Sequence, residues 1–443
     1  MNLCSDEEKS LLPPFPESPH PAKMAAIFLH KRHSMRDALD VLKERGFFKQ
    51  CTDEEGLRAK LAEGPQKFYI GVDPTGPSMH IGHLVPIYAS AHLQKAGHQP
   101  IILMGGGTAR IGDPSGKTEM RKMISYEQIA ENIEAQKPQL AKLIDFEGTD
   151  AMLANNADWL APLNYIDFLR DIGRHFSVNR MLTFEAYKQR LEKGLSFIEF
   201  NYQLLQSYDF LELYRREGCV LQIGGDDQWG NIVAGMELIR RTEGAETYGL
   251  TFPLIARSDG KKMGKTEKGA LFLNPEMTPV YDFYQYWRNV PDADVERFFL
   301  TFTFLPVEEC KALGAAEGSA INASKERLAY EVTKLLHGEE EAIKAREAAK
   351  AAFVGGGDKS GMPSCEIPQA DFEAGINILD LFARTELCAS KSEARRLVQQ
   401  GGARVNDAKI DDVDALIGAD AIQEGEVMLK AGKKRFFRVV VTS

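Results

Sequence analysis

The chain has 443 residues, enough for about three domains of average size. Its 54 basic and 64 acidic side chains give a formal net charge of −10, which argues against a uniformly basic protein that binds nucleic acid or membranes by electrostatics alone. The six cysteines lack the spacing of a zinc site or a disulfide framework, and they favour a reducing, cytoplasmic location. No apolar run reaches the roughly 18 residues of a transmembrane helix, so we expect no membrane partner.

The first 34 residues differ in composition from the rest of the chain. Acidic side chains at 6–8 are followed by five prolines between Pro13 and Pro21, a pattern unlike a signal or transit peptide. We predict a disordered extension over residues 1–34, with Met24 and Met35 as alternative start positions.

Short apolar segments then alternate with helical ones, which is typical of an α/β sheet. After a helix at 36–43, we predict strands at 68–72, 100–104, 219–223 and 251–256. Helices are predicted at 83–96, 202–214 and 231–242, with a loop at 224–230. This pattern predicts a Rossmann-like, doubly wound parallel sheet that forms a catalytic domain over residues 35–255.

The remaining sequence suggests two further units. Residues 256–353 begin with a basic loop and continue as helical sequence, including a helical segment at 325–350, so we predict an α-helical domain. The glycine- and proline-rich residues 354–375 are predicted to be a linker. Residues 376–443 are predicted to form a small α+β domain.

Residues 69–83 (YIGVDPTGPSMHIGH) are the most informative stretch. A strand leads into a turn rich in glycine and proline, and a helix begins near the second of two histidines, His80 and His83. This arrangement offers free backbone N–H groups and the positive end of a helix to an anion. Gly82 leaves room for a ribose or a base. The alternative is that the histidines only cap the helix.

Residues 260–266 (GKKMGKT), here called the basic loop, follow the last predicted strand. Lys262 and Lys265 lie beside glycines, so they could stabilise negative charge that develops on a polyphosphate. Taken alone, such a loop could equally be a solvated surface segment.

Together the two segments resemble the HIGH and KMSKS signatures of class I aminoacyl-tRNA synthetases, in the right chain order around a Rossmann-like domain. More specifically, the chain resembles the bacterial-type tyrosyl-tRNA synthetases. The resemblance runs from residue 36 to the C-terminus, and its further motifs are IGDPSGK at 111–117, FIEFNYQLLQSYDF at 197–210 and LQIGGDDQWGN at 221–231.

A tyrosine substrate needs a donor and an acceptor for its phenol in an apolar pocket, and Tyr69 and Asp209 can supply that pair. Tyr202, Gln206 and Asp209 lie at i, i+4 and i+7, so they share one face of a helix. The alternative is a polar stripe on a surface helix. The resemblance assigns the remaining tyrosine contacts to Asp113, Tyr202, Gln206 and Gln228.

The resemblance also implies an ATP site. Its ATP-binding residues are Gly71, Asp73, His80, Gly82, His83, Gly225, Asp227, Lys262 and Lys265. The catalytic residues would be His80, His83, Lys262, Lys265 and Thr266, with Lys117 and Arg121 as candidates on the pyrophosphate or tRNA side. Asp226 replaces the small hydroxyl residue of many relatives, and Gly264 and Thr266 replace the two serines of the nominal KMSKS sequence.

The implied reaction is attack of the tyrosine carboxylate on the α-phosphorus of ATP, followed by transfer of tyrosine to the terminal adenosine of tRNA(Tyr). The carboxylate is ionised at neutral pH, so positioning and charge stabilisation carry the catalysis. The resemblance implies ATP as substrate, Mg²⁺ on its phosphates, no structural metal and a homodimer with Phe197 near its interface.

The last 68 residues have 11 basic and 10 acidic side chains, whereas residues 430–443 contain five basic residues and no acidic one. Ser390 and Glu393 predict a capping box for a helix with Lys391 and Arg395 on one face. The unit is similar to an RNA-binding module first recognised in a ribosomal small-subunit protein, although a solvated charged helix is the alternative. The candidate RNA-binding residues are Lys391, Arg395, Arg396, Lys433, Lys434 and Arg435.

Two rival functions are open at this stage. A tryptophan–tRNA ligase is disfavoured because an indole needs no partner for a hydroxyl, as Tyr69 and Asp209 would provide. An RNA-binding or splicing-type protein that kept an inactive synthetase scaffold is disfavoured by the intact lysines and histidines of both signature segments. ATP–pyrophosphate exchange with tyrosine, tryptophan and phenylalanine separates these possibilities.

Overall fold

The computed structural model describes residues 37–115, 124–260, 263–266, 269–354, 362–385, 387–432 and 435–442. The predicted extension, residues 1–34, lies outside these ranges. Within the described part, the first unit is built on a six-stranded sheet of β1 (Gln50–Cys51), β2 (Lys67–Val72), β3 (Gln99–Met104), β4 (Met152–Asn155), β5 (Leu221–Gly225) and β6 (Tyr248–Phe252).

The strand order is β1-β6-β5-β2-β3-β4. All neighbouring strands are parallel except β1 and β6. The chain therefore runs outward from β2 through β3 to β4, and then returns to the other side through β5 and β6. Such a sheet forms a crevice at the carboxyl ends of the two strands where the winding reverses, which here are β2 and β5.

The alternation of side chains along β2 shows that both faces of the sheet are covered. Phe68 and Ile70 pack into the core on one face. Tyr69 packs into the core on the other face, where its ring lies 5.3 Å from that of Phe210. Because side chains of a strand alternate between faces, Gly71 lies on the same side as Tyr69.

Helices pack on both faces of this sheet. They are α1 (Ala38–Glu44), α2 (Glu54–Ala62), α3 (Leu84–Lys95), α4 (Tyr126–Leu140), α5 (Ala157–Leu160), α6 (Tyr165–Asp171), α7 (Val178–Met181), α8 (Glu185–Leu191), α9 (Phe197–Glu217) and α10 (Trp229–Glu243). Short 3-10 turns occur at Ile81–His83, Thr108–Arg110, Gly173–His175 and Asp226–Gln228.

The long helix α9 has clear start and stop signals in its sequence. The Ser196 hydroxyl accepts the Glu199 backbone N–H, and the Glu199 carboxylate accepts the Ser196 N–H in return, which forms a capping box. The helix ends at Gly218, whose φ of 66° lies in the left-handed region that glycine tolerates best. The helix that carries three candidate substrate contacts is thereby fixed at both ends.

The second unit begins with the small hairpin of β7 (Lys265–Thr266) and β8 (Gly269–Ala270). Its helices are α11 (Val280–Arg288), α12 (Val295–Phe302), α13 (Val307–Gly314), α14 (Ala320–His337) and α15 (Glu339–Val354), with a 3-10 turn at Asp292–Asp294. The helical sequence predicted at 325–350 is confirmed, and it is divided between α14 and α15 at Gly338, which has a φ of 93°.

The C-terminal unit is a five-stranded sheet in the order β12-β11-β14-β15-β9, with a small pair of β10 and β13 beside it. Its elements are β9 (Ser364–Pro368), α16 (Gln369–Ala374), β10 (Ile376–Asn377), α17 (Ile378–Arg384), α18 (Lys391–Gln399), β11 (Ala403–Val405), β12 (Ala408–Lys409), β13 (Leu416–Ile417), β14 (Glu426–Ala431) and β15 (Arg435–Thr442), with a 3-10 turn at Ala419–Ala421. The predicted fold class, a doubly wound sheet followed by helices and a small α+β unit, is confirmed.

Three local predictions are wrong. Residues 226–230, predicted as part of a loop, form a 3-10 turn and the start of α10, because parallel pairing extends β5 to Gly225 and leaves little loop. The strand predicted at 251–256 is β6, which ends at Phe252. The linker prediction is wrong for residues 364–374, because β9 pairs with β15 and α16 follows it.

Candidate active site

A cleft of about 330 Å³ opens at the carboxyl ends of β2 and β5, the position expected from the sheet topology. Both strands end there, and α9 passes along one wall with Tyr202, Gln206 and Asp209 on its inner face. The cleft brings together thirteen of the residues singled out in the sequence, namely Tyr69, Gly71, Asp73, His80, Gly82, His83, Asp113, Tyr202, Gln206, Asp209, Gly225, Asp227 and Gln228.

The innermost part of the cleft holds the Tyr69 phenol and the Asp209 carboxyl, both almost fully buried. Among the described residues, the Tyr69 hydroxyl has no hydrogen-bond partner. Burial raises the pKa of Tyr69 well above its ordinary value, and the nearby Asp209 charge adds to this. A buried hydroxyl without a partner is costly, so this position is suited to a ligand that supplies a polar group.

Asp209 is held by two donors that the sequence reasoning missed. The Asn156 Nδ2 donates to one carboxylate oxygen at 2.9 Å, and the Trp159 Nε1 donates to the other at 2.7 Å. Burial raises the pKa of Asp209 to about 8, although these two hydrogen bonds act in the opposite direction. The only signal in the sequence is a polar and an aromatic residue three positions apart. Such a pair is too common to interpret.

Asn156 also connects Asp209 to Asp73, another carboxylate of the cleft. The same Nδ2 group lies 3.0 Å from the Thr108 hydroxyl, which in turn donates to Asp73 at 2.8 Å. On the other side of the cleft, the Tyr202 hydroxyl donates to Asp73 at 3.0 Å. Asp73 and Asp209 are therefore parts of one hydrogen-bonded network, fixed before any ligand arrives.

A second polar group of the cleft is centred on Gln228. The Gln228 Nε2 donates to Asp113 at 2.8 Å, and its Oε1 accepts from Gln206 at 3.3 Å. The Asn231 amide donates to the same Gln228 oxygen at 3.1 Å. These contacts join three residues predicted to bind tyrosine, namely Asp113, Gln206 and Gln228.

The two histidines stack on each other, with ring centroids 3.9 Å apart and planes 16° from parallel. The His80 Nδ1 accepts the Gly82 N–H at 3.0 Å, and the His83 Nδ1 accepts the His80 N–H at 3.3 Å. Because Nδ1 is the acceptor in both neutral rings, the proton is assigned to Nε2. Both rings therefore present a donor of the kind that binds phosphate or ribose oxygens.

Two glycines of the cleft, Gly71 and Gly82, differ in the space around them. A Cβ added to Gly71 would meet no atom within 4 Å, whereas one added to Gly82 would lie 2.8 Å from His80 Cε1. Gly71 is also exposed to the cleft. The space at Gly71 is thus available to a ligand, while Gly82 permits the close approach of the histidine ring.

Asp226 and Asp227 have different environments although they are adjacent. One Asp226 oxygen accepts from Gln50 at 3.0 Å and from Thr251 at 3.2 Å, so Asp226 ties the β5 end to β1 and β6. Asp227 lines the cleft, and burial raises its pKa, with a further rise from the Asp113 charge. The extra carboxylate noted in the sequence, Asp226, therefore links strands of the sheet through its hydrogen bonds.

Backbone contacts join the region after the basic loop to the histidine turn. The Ile81 N–H donates to Leu271 O at 3.2 Å, and the Leu273 N–H donates to Met79 O at 2.9 Å. Lys265 and Thr266 are described as the backbone of β7. Lys262, Lys117 and Arg121 lie outside the described residues.

The candidate RNA-binding side chains of the C-terminal unit have varied surroundings. Lys391 forms an exposed ion pair with Asp380, and Arg435 lies 3.6 Å from Glu393. Arg395 and Arg396 are exposed on α18. Ser390 caps α18 as predicted, but Glu393 accepts the N–H of Ala389 instead of that of Ser390, so the predicted capping box is only half formed. Lys433 and Lys434 lie outside the described residues.

The described ranges can be compared with the predictions about a membrane and a metal. No helix there is long and apolar enough to cross a membrane. The same residues contain no group of three or more histidine, cysteine, aspartate or glutamate side chains arranged to hold a metal ion.

Comparisons with known proteins match this architecture. The family model for class I tRNA synthetases of the tryptophan and tyrosine group matches residues 61–354. The model for the SYY-like C-terminal domain of tyrosine–tRNA ligases matches residues 357–439. Both units, the Rossmann-like body with its helical domain and the C-terminal sheet, thus have counterparts in one class of enzyme.

Individual relatives narrow the class. The tyrosine–tRNA ligase of Treponema denticola is 57% identical over 407 residues, which cover 92% of this chain and 100% of the relative. That of Caldanaerobacter subterraneus subsp. tengcongensis is 54% identical, with 91% and 99% covered. A truncated mitochondrial tyrosyl-tRNA synthetase from Aspergillus nidulans superposes with a TM-score of 0.65 at 29% identity, covering 75% of this chain and 99% of that one.

The chain belongs to the class I tRNA synthetase family and, within it, to the tyrosine–tRNA ligases. The predictions of an aminoacyl-tRNA ligase and of ATP as its substrate are confirmed at the level of this family. The comparisons favour tyrosine over the tryptophan alternative, because the near-full-length relatives are named tyrosine–tRNA ligases.

Proposed function

We propose that the cleft activates L-tyrosine with ATP and then transfers it to tRNA(Tyr), with the phenol of tyrosine between Tyr69 and Asp209. The observation that carries this assignment is the buried Tyr69 hydroxyl, which lacks a partner among the described residues and lies beside a carboxylate already oriented by Asn156 and Trp159. A tyrosine hydroxyl supplies both a donor for Asp209 and an acceptor for Tyr69. Phenylalanine would leave both polar groups unpaired.

The ammonium and carboxylate ends of tyrosine are assigned to the second polar group of the cleft. Asp113, Tyr202 and Gln206 would hold the ammonium, since they offer one negative charge and two neutral acceptors. Gln228, which is fixed by Asp113 and Asn231, would contact the carboxylate end. This orientation directs the carboxylate toward the histidines.

ATP is assigned to the other half of the cleft. Gly71 and Asp73 lie close together at the end of β2, and Gly225 and Asp227 lie at the end of β5, where a ribose and an adenine can approach backbone atoms. His80 and His83 present their Nε2 donors to the phosphates, and Gly82 allows them to stack.

The reaction forms a bond between a tyrosine carboxylate oxygen and the α-phosphorus while the bond to pyrophosphate breaks. The nucleophile is already ionised, so no general base is required. Lys262 and Lys265, with Thr266, would stabilise charge on the leaving pyrophosphate, and Lys117 and Arg121 would assist from the side of the 111–123 segment. Transfer to the terminal adenosine of tRNA then releases AMP.

Mg²⁺ would be held mainly by the phosphate oxygens of ATP, with the cleft carboxylate Asp227 able to assist. The donor set fits this weak involvement, since the described residues contain no cluster of three metal ligands and Mg²⁺ commonly binds through substrate phosphates. When bound, the ion would supply charge neutralisation on the triphosphate.

The tRNA is assigned to the C-terminal unit as well as to the cleft. Lys391, Arg395, Arg396 and Arg435, together with Lys433 and Lys434, would contact phosphates. We also propose the division into domains at 35–255, 256–353 and 376–443.

We further propose a homodimer in the cytoplasm. Phe197 at the start of α9 is 70% exposed and Ile198 is 40% exposed, so an apolar surface adjoins the helix that carries the tyrosine contacts. The cysteines of the described part are free thiols, in keeping with a reducing compartment.

ATP–pyrophosphate exchange with purified protein tests the proposal. We expect exchange with tyrosine and far weaker exchange with phenylalanine and tryptophan. Absence of exchange with all three amino acids would refute the enzyme assignment, and exchange driven by tryptophan would refute the tyrosine pocket. Sedimentation of the same protein tests the dimer.

A further inference from the structure

One side chain outside the cleft holds the basic loop. Tyr286 lies on α11 of the helical domain and is 8% exposed. Its hydroxyl oxygen accepts the Gly264 backbone N–H at 2.9 Å, and its proton is donated to the Met263 sulfur at 3.2 Å. A single phenol thereby contacts two consecutive residues of the loop with both its donor and its acceptor function.

Gly264 is the point at which the loop meets the histidine turn. Its φ of 72° is left-handed, and its carbonyl accepts the Leu271 N–H at 2.7 Å. A Cβ added there would lie 3.2 Å from Ile81 Cβ, and Ile81 lies between His80 and Gly82 in the chain. The backbone of Gly264 is thus fixed on three sides, and Tyr286 supplies the contact on its N–H.

We infer that Tyr286 is a positioning residue for the reaction, acting through Met263 and Gly264 on the lysine that follows them. Lys265 is the next residue, so the orientation of the Gly264 peptide sets where its backbone begins. The inference rests on the proposed role of Lys265 toward the phosphates. It assigns to the helical domain a direct part in placing the phosphate-binding end of the cleft.

The same helix provides a matched control. Tyr284 on α11 is also fully buried, but its hydroxyl has no hydrogen-bond partner among the described residues. Replacing either tyrosine by phenylalanine removes one oxygen from the same helix. Only Tyr286→Phe leaves the Gly264 N–H without its acceptor.

The test measures tyrosine-dependent ATP–pyrophosphate exchange for Tyr286→Phe and Tyr284→Phe. We expect Tyr286→Phe to lower kcat about tenfold. The buried Gly264 N–H loses its acceptor in this variant, so the peptide before Lys265 is no longer held in place. Tyr284→Phe should retain wild-type kcat. Tyrosine affinity, measured by equilibrium dialysis, should be unchanged in both variants because neither side chain lines the tyrosine pocket.

Hydrogen exchange at Gly264 gives a second readout. The Gly264 amide should exchange faster in Tyr286→Phe and at the wild-type rate in Tyr284→Phe. Met263→Leu, which removes the sulfur but keeps an apolar side chain, should lower kcat less than Tyr286→Phe. Faster exchange throughout α11, together with weaker tyrosine binding in Tyr286→Phe, would indicate a purely structural role and overturn the inference.

The proposed function and the role of Tyr286 can be refuted separately. If wild-type protein shows no exchange with tyrosine, the proposed function itself is wrong. If wild-type protein is active and the two phenylalanine variants have equal kcat, only the inference about Tyr286 is wrong.

Discussion

The two ends of the cleft are built in different ways. At the tyrosine end, Asp209 is almost fully buried and held by the Asn156 and Trp159 side chains. At the end proposed to bind ATP, Gly71 faces open space and the His80 ring accepts the Gly82 backbone N–H. The end proposed to bind tyrosine therefore has polar side chains that are already fixed, whereas the end proposed to bind ATP has room and N–H donors. Substitutions at the two ends should therefore impair different steps.

The largest effect is expected at the tyrosine end. Asp209→Asn replaces the carboxyl acceptor by an amide, whose NH₂ group can face the donors of Asn156 and Trp159. We expect kcat/KM for tyrosine in pyrophosphate exchange to fall roughly 10² to 10³-fold, with KM for ATP unchanged.

Glu212→Gln provides the control for this carboxyl-to-amide replacement. Glu212 is also buried on α9 and pairs with Arg216 outside the cleft. This variant should keep wild-type kcat/KM. Equal losses in the two variants would show that Asp209 acts only through the stability of α9.

A smaller effect is expected at the histidine turn. Gly82→Ala would place a methyl group 2.8 Å from His80 Cε1 and displace the ring from its stacked position. We expect kcat for adenylate formation to fall about thirtyfold in single-turnover measurements, with tyrosine affinity retained. Gly76→Ala, where a Cβ would meet nothing within 4 Å, is the control. A fully active Gly82→Ala variant would argue against a role for His80.

Gly71→Ala tests the room at the end proposed to bind ATP. The added methyl group would contact no protein atom within 4 Å, so the free energy of unfolding should be unchanged. It would instead occupy space assigned to ATP, and we expect KM for ATP to rise about tenfold. An unchanged KM for ATP would place the nucleotide elsewhere in the cleft.

The smallest predicted effect concerns pH. Burial raises the pKa of Asp209 in the folded protein to about 8, above the ordinary value near 4 that the unfolded chain has. Between these two values the folded state retains a proton that the unfolded state has lost, so stability decreases as pH rises through this window.

Urea unfolding at pH 6 and pH 7 measures this contribution. Between pH 6 and pH 7, the free energy of unfolding should fall by about 1 kcal/mol more in the wild-type protein than in Asp209→Asn. The reason is that the asparagine amide of the variant does not titrate. An identical pH dependence in the two proteins would mean that Asp209 is ionised in the folded state throughout.

The sequence could predict the residues of the cleft but not what holds them. His80, His83 and Gly82 lie in one short motif, so their proximity follows from chain geometry. Asn156 approaches Asp209 from the end of β4, 53 residues away in the chain, and only the folded sheet brings them together. The Tyr286 contact with Gly264 also depends on the fold, because it joins a loop to a helix 22 residues further along the chain.

Element boundaries depended on tertiary pairing in a similar way. Glycine-rich composition predicted a loop from Gly224, yet pairing with β6 keeps Gly224 and Gly225 in β5. Composition also predicted a linker at 364–368, whereas parallel pairing with β15 makes it an edge strand. Local sequence is ambiguous at such positions because partners distant in the chain decide the backbone conformation.

The most direct test of the division between the two ends is the ratio of kcat/KM for tyrosine to that for phenylalanine in pyrophosphate exchange. We predict that Asp209→Asn lowers this ratio by at least about tenfold, because the lost acceptor matters only to a substrate with a hydroxyl. Gly71→Ala should lower both values and leave their ratio at the wild-type level. If the ratio were unchanged in Asp209→Asn, or lowered equally in Gly71→Ala, the two ends of the cleft would not differ in their roles as proposed.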